Sequence, residues 1–226
     1  MKKLKEFVKK LINFDKIHYK RLSAAGSESS NPWIRKASNI GGWLFEGEPE
    51  LLYELSRSAP DGNFIEIGCW MGKSTCILAG GMADSNKTGK ILCIDPFTLE
   101  GTPEQIAYHR RVVGHMTGTF NQFIGNAKAQ GFYERIVPVA AFSAAAFSVI
   151  QTSATFAFID GAHDYENAKR DFELIFPALA AGSCVAFHDV GTPQFPDLPK
   201  LMSELKERPD IDYVTHVGSI EVLRKV

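Results

Sequence analysis

Five short runs of β-favouring apolar residues, at positions 64–67, 91–94, 136–140, 156–159 and 184–187, alternate with helix-compatible stretches. Runs of this kind have no polar face, so both faces of the sheet they form must be covered, and helical crossovers make its strands parallel. The chain is thereby confined to the α/β class, as a doubly wound, Rossmann-like sheet. After the fifth run come a helical stretch at about 198–208 and two closely spaced strand-like runs, "DYVTHVG" and "SIEVLRKV". The Gly-Ser link between these runs is too short for a parallel return, which predicts a C-terminal antiparallel hairpin after the five parallel strands.

A chain of 226 residues with 45% hydrophobic content can bury a sizeable core. Its 25 basic and 26 acidic residues nearly cancel, so no global charge points to nucleic acid as a partner. Cys69, Cys76, Cys93 and Cys184 lie in or beside apolar runs, without zinc-site spacing or disulfide density. They read as reduced core residues of a cytoplasmic protein. The opening "MKKLKEFVKKLINFDKIHYKRL" places Leu4, Phe7, Val8 and Leu11 at helical spacing among lysines. Such a basic amphipathic helix can dock on its own domain, on a second subunit of a homo-oligomer, or peripherally on an anionic membrane surface. The polar stretch that follows it divides the chain into a helical extension and linker, 1–30, and a main domain, 31–226.

The loop after the first strand carries the chemistry. "FIEIGCWMGKST" ends like a phosphate-binding P-loop, but Gly68 stands one residue too close to Gly72-Lys73-Ser74 for the backbone to wrap phosphates. The G-x-G-x-x-G of a nicotinamide dehydrogenase is missing as well. Gly68 and Gly72 let the backbone turn tightly and approach a ligand, and Ser74 can cap the next helix or bond that ligand. The second strand ends "ILCIDPF", which places Asp95 where a carboxylate accepts the two hydroxyls of a ribose.

"EIGCWMGKST", "ILCIDPF", "FAFIDGAHDYENAKRDFELIFPALAAGSCVAFHDV" and the closing hairpin together resemble a class I S-adenosylmethionine-dependent methyltransferase. Within that class the chain is similar to small-molecule O-methyltransferases acting on macrolide sugars and to cephalosporin-hydroxylase-like proteins. The resemblance runs from about residue 41 to the end, with Trp70 where broader methyltransferases carry a glycine. It implies S-adenosylmethionine as cofactor and Glu66, Gly68, Gly72, Ser74, Asp95, Ser143 and Asp160 as the residues around it. Gly68 would flank the methionine part, Asp95 the ribose and Ser143 the adenine.

The fourth and fifth strands end in "FIDGAHDY" and "AFHDV", bringing Asp160, His163, His188 and Asp189 to one side of that site. Asp160, His188 and Asp189 are the expected ligands of a divalent metal, and the resemblance implies His163, with Asp160, as the catalytic pair. His188 stands where related enzymes commonly carry a carboxylate. Mg²⁺ favours oxygen ligands while imidazole suits Mn²⁺ or Fe²⁺, so the ligand types admit any of the three. Trp43 and Tyr165 are candidates to enclose a small-molecule acceptor. The function expected is metal-assisted methyl transfer to a hydroxyl of a sugar or natural product. The alternatives are an inactive methyltransferase-like binding protein and a metal-dependent oxygenase.

Overall fold

The computed structural model describes residues 28–98 and 118–226. The basic N-terminal helix expected from the sequence lies outside the described residues. The first described helix, α1 (Pro32–Ser38), begins where the Asn31 side chain accepts the backbone N–H groups of Trp33 and Ile34, with proline in its first turn. α2 (Glu48–Ser58) also opens on a proline turn and buries Leu52.

β1 (Phe64–Ile67), β2 (Ile91–Asp95), β3 (Ile136–Ala140), β4 (Ala154–Ile159) and β5 (Leu179–Phe187) are the five expected strands. They pair in parallel, in the spatial order β3-β2-β1-β4-β5. The order reverses between β1 and β4, the place where ligands settle in open α/β sheets. β4 and β5 begin earlier than their apolar runs, and a register shift between Ala154 and Phe156 takes up the extra residues of β5 between Leu179 and Cys184.

Helices α3 (Lys73–Asp84) and α4 (Phe120–Gln130) cover one face with α1 and α2; α5 (Ser143–Phe147), α6 (Tyr165–Ile175) and α7 (Leu198–Lys206) cover the other. β1 shows why both faces are apolar. Phe64 joins the core beneath α1–α4, and Ile65 and Ile67 join the core beneath α5–α7. The odd member is Glu66, which faces the first core and is completely buried.

β6 (Ile211–Val217) and β7 (Ile220–Lys225) form the expected antiparallel hairpin. β7 inserts beside β5 and leaves β6 at the edge. Burial explains this order, because Ile220 to Leu223 are buried while β6 exposes Tyr213 and Val214.

Candidate active site

The glycine loop is built on close backbone approach. Gly68 has φ 86°, and a Cβ there would lie 2.0 Å from the carbonyl oxygen of Asp160. Two strand ends meet at this point. The Gly68 N–H donates to the Ile94 carbonyl at 3.0 Å, and the Asp160 N–H donates to that of Ile67 at 2.8 Å. Trp70 (φ 48°), Phe97 (φ 53°) and Asp189 (φ 63°) all hold the left-handed conformation that side chains disfavour, and they sit just past the ends of β1, β2 and β5. Gly72 caps α3 at φ 91° beneath the Phe123 ring, and the Asn126 amide of α4 donates to the Met71 carbonyl at 2.9 Å. The loop is thus clamped from both sides.

Asp95 ends β2 and is 9% exposed. Its carboxylate accepts the Trp70 N–H at 2.8 Å and the Phe97 N–H at 2.6 Å, which aims it across the loop mouth. Burial pushes its pKa up, against the pull of these backbone bonds. The lone pairs left over can serve the diol of a ribose.

Glu66 and Ser74, expected to contact the cofactor, face each other beneath the loop. The Ser74 hydroxyl donates to Glu66 Oε1 at 2.5 Å and that of Thr75 to Oε2 at 2.7 Å. Both members of the pair are buried, so they set the path of the loop rather than line its cleft. Burial, opposed by these two hydrogen bonds, pushes the Glu66 carboxyl up to about 7. Cys69 and Cys93 lie close enough to Glu66 to make a trio of potential metal ligands. Burial holds both thiols above their usual range and both carboxyl oxygens are occupied, so this trio offers no thiolate at neutral pH.

The buried glutamate yields a stability prediction. With its pKa raised from 4.5 to about 7, the folded protein holds this proton more tightly than the unfolded chain. The stabilisation is complete below the unfolded value and disappears as pH climbs through the folded one, a loss on the order of 3 kcal/mol. Glu66→Gln should flatten the melting temperature of the ligand-free protein between about pH 5 and pH 8, where the wild type declines. Parallel melting profiles for the two proteins would show that Glu66 titrates normally.

Lys73, the lysine of the P-loop-like ending, is 4% exposed, and burial lowers its pKa to about 8. Its stem packs against Gly42, where an added Cβ would come within 3.3 Å. An enclosed lysine of this kind is no phosphate reader.

At the ends of β4 and β5 the acidic and histidine residues do converge, with different partners from those expected. His188 is 3% exposed. Its Nδ1 lies 3.0 Å from Asp160 Oδ1 and 3.5 Å from Asp189 Oδ2, and its Nε2 lies 3.0 Å from Glu48 Oε2. Burial by itself would lower the imidazole pKa, but the surrounding carboxylates override it and hold the pKa well above its usual value. Both ring nitrogens thus meet carboxylates, and His188 packs behind them. The geometric trio differs from the expected ligand set at one position. The trio whose donor atoms lie within 4.8 Å of one another is Asp160, His163 and Asp189. His163 Nε2 is 3.6 Å from Asp189 Oδ2, and all three side chains are partly open to solvent. One nitrogen and two carboxylates form a donor set that fits a divalent first-row metal.

Glu48 is the residue that sequence reasoning missed. It is fully buried at the start of α2. It accepts the Phe45 N–H at 2.6 Å, the Ser219 N–H at 2.6 Å and the Ser219 hydroxyl at 2.8 Å, besides His188. Burial raises its pKa, but these donors outweigh burial and the net shift is downward. The sequence offered one indirect signal: an imidazole where a carboxylate is usual calls for a compensating acid, which nothing local identifies. Phe195 was missed too; its ring lies 4.0 Å from that of His163. Trp43, expected at the acceptor entrance, packs against Trp70 at 5.9 Å between ring centroids. The Tyr165 hydroxyl bonds Glu204 of α7. Ser143 does not cap its helix; its hydroxyl donates to Asp171 of α6.

Residues 65–190 match the methyltransferase-domain family. Among solved structures, the O-methyltransferase NovP is 15% identical with a TM-score of 0.63, covering 93% of this chain and 97% of its own. An O-methyltransferase from Bacillus cereus in complex with S-adenosylhomocysteine is 15% identical with a TM-score of 0.60, covering 92% and 96%. CalS11, a TDP-rhamnose 3′-O-methyltransferase of calicheamicin biosynthesis, is 22% identical with a TM-score of 0.54, covering 78% and 76%. At these identities the likeness is one of fold. With its glycine loop at the switch point of such a sheet and more than half its length inside the family match, the chain belongs to the methyltransferase-domain family and has the class I methyltransferase fold.

Proposed function

We propose that the protein transfers the methyl group of S-adenosylmethionine to a hydroxyl of a small molecule, with a divalent metal assisting. The observation that supports this best is the placing of two sites across adjacent strand ends. The Gly68 loop and Asp95 form a cradle for a nucleoside at β1 and β2, and Asp160, His163 and Asp189 gather at β4 and β5. The bound S-adenosylhomocysteine of the Bacillus cereus enzyme supports the cofactor, and the sugar substrate of CalS11 supports a hydroxyl acceptor.

The chemistry asked of the protein is alignment and proton removal. In an in-line displacement the acceptor oxygen bonds the methyl carbon as the carbon–sulfur bond breaks, and the thioether leaves. His163 sits at the partly open mouth beside Phe195, where its neutral ring can take the acceptor's proton. Asp160 and Asp189 are the residues that would hold a metal, which would supply charge to lower the hydroxyl pKa and fix its direction; the single lone pair of a neutral His163 serves either as a third ligand or as the base. His188 holds the two carboxylates in place from behind.

Calorimetry with S-adenosylhomocysteine and a methyl-transfer assay over a panel of hydroxylated small molecules test the reading. Binding and turnover are expected; binding of Mg-ATP in place of the nucleoside thioether would overturn it. Chelation should stop turnover while leaving cofactor affinity nearly unchanged, and full activity of metal-free protein would take the metal out of the mechanism. His163→Ala should lower kcat about 10²-fold. Rescue by excess Mn²⁺ would make His163 a ligand, whereas an unrescued loss with a flattened rise of rate with pH makes it the base.

A further inference from the structure

The loop after β5 meets His163 twice. Asp189, at its start, approaches the edge of the imidazole, with Oδ2 3.6 Å from Nε2. Phe195, further along, covers a face of the same ring, at 4.0 Å between centroids and 34° between planes. The loop's own hydrogen bonds fix these two contacts relative to each other. The Thr192 N–H and hydroxyl both donate to the Asp189 carbonyl, at 3.3 and 3.0 Å, and the Phe195 N–H donates to the Thr192 carbonyl at 3.0 Å. Thr192 is buried, the Val190 N–H donates to the Ser219 carbonyl at 2.9 Å, and Phe195 packs against the core beneath α5–α7. Pro193 and Pro196 restrict the backbone around Phe195 further.

Contact at two places leaves the imidazole little freedom. Stacking holds its plane, and a ring so held with its Nε2 edge at Asp189 presents that nitrogen to the cluster, where donor atoms of Asp160, His163 and Asp189 lie within 4.8 Å of one another. A nitrogen donor changes which ion such a cluster prefers. Mg²⁺ seeks oxygen ligands and gains little from an imidazole, whereas first-row ions such as Fe²⁺ and Ni²⁺ bind it well. Fixing the ring in advance also spares the ordering that a free side chain would undergo on binding.

We propose that Phe195 is a positioning residue that holds His163 as the nitrogen ligand of the cluster and so sets its preference for a first-row transition ion over Mg²⁺. This rests on the reading that Asp160 and Asp189 hold a divalent metal, and of the two uses open to the His163 lone pair it selects the ligand. Replacing a residue that orients a metal ligand from behind changes affinity by about 10- to 100-fold. Here the loss falls on the ion that uses the nitrogen.

Calorimetric titration of the untagged full chain with Ni²⁺ and, separately, with Mg²⁺ tests this, each ion taken without cofactor or acceptor. Phe195→Leu keeps an apolar side chain but removes the flat face, and should weaken Ni²⁺ about 10-fold while Mg²⁺ changes by less than about 3-fold. Phe195→Tyr restores the face and should keep Ni²⁺ within about 3-fold of the wild type. His163→Ala, which does not depend on the loop tolerating substitution, should narrow the preference for Ni²⁺ at least as far as Phe195→Leu. An undiminished preference in Phe195→Leu, or an equal loss of both ions, makes Phe195 a packing residue and overturns the inference. An undiminished preference in His163→Ala overturns it too, because the imidazole is then no ligand. Failure of the wild type to bind either ion overturns the metal reading itself, and the inference with it.

Discussion

Gly68→Ala should eliminate cofactor binding and cost the fold several kcal/mol. Two independent effects add. At φ 86° an alanine is strained by about 1–3 kcal/mol. Its Cβ would also fall 2.0 Å from the Asp160 carbonyl oxygen and 2.7 Å from the Gly161 nitrogen, both backbone atoms that no rotamer change can move. Relief requires the ends of β1 and β4 to part, at a cost of a further 1–3 kcal/mol or so. That movement displaces the loop from Asp95 and shifts Asp160. Gly131→Ala is the control: its φ is 81°, but nothing lies within 4 Å of the added atom. The difference in chemical-denaturation midpoint between the two variants measures the close approach alone. If Gly68→Ala is no less stable than Gly131→Ala and retains S-adenosylhomocysteine affinity, the strand ends are more pliant than their packing implies.

Glu48→Ala should destabilise the protein by about 3–5 kcal/mol, the usual consequence of removing one partner from a buried, hydrogen-bonded ion pair. The carboxylate takes four donors, from Phe45, His188 and two groups of Ser219, and none of them has solvent to turn to at a fully buried position. Glu48→Gln keeps the shape but opposes an amide N–H to donors, so it should cost less than alanine yet remain measurable. The effect should reach the site. Ser219 accepts the Asp189 N–H at 3.2 Å, and His188 bonds Asp160, so loosening Glu48 releases both carboxylates of the proposed metal site. Weakened divalent-metal affinity, read by titration of the folded variant, is the expected companion of the lost stability. A stable Glu48→Ala protein with native metal affinity would mean that the imidazolium of His188 is held well enough by Asp160 and Asp189.

The two variants act at opposite ends of one arrangement. Gly68 lets β1 and β4 approach so that the proposed nucleoside cradle and the acid cluster lie side by side. Glu48, through His188, holds that cluster from the core side. His188 thus sits behind the cluster with both ring nitrogens meeting carboxylates, and the mixed set of Asp160, His163 and Asp189 is left facing the solvent side.

The parallel sheet and its hairpin were legible in the sequence because apolar runs buried on both faces and a two-residue link leave few other arrangements. The positions of Gly68, Asp95, Asp160, His163 and Asp189 followed for the same reason, since strand ends in such a sheet are ligand-binding ends. What the sequence could not determine is which way side chains point once they arrive there. Glu66 and Ser74 sit in the right motif, yet a strand's alternation sends the glutamate into the core and the serine follows it. His188 and Asp189 are adjacent, but the left-handed backbone of Asp189 turns the histidine inward and the aspartate toward the cleft. The acid that meets this histidine comes from Glu48, 140 positions away. Such pairing depends on burial, which makes an unpartnered charge too costly to keep. Only the tertiary structure brings α2, the hairpin turn at Ser219 and the ends of β4 and β5 close enough to provide the partner.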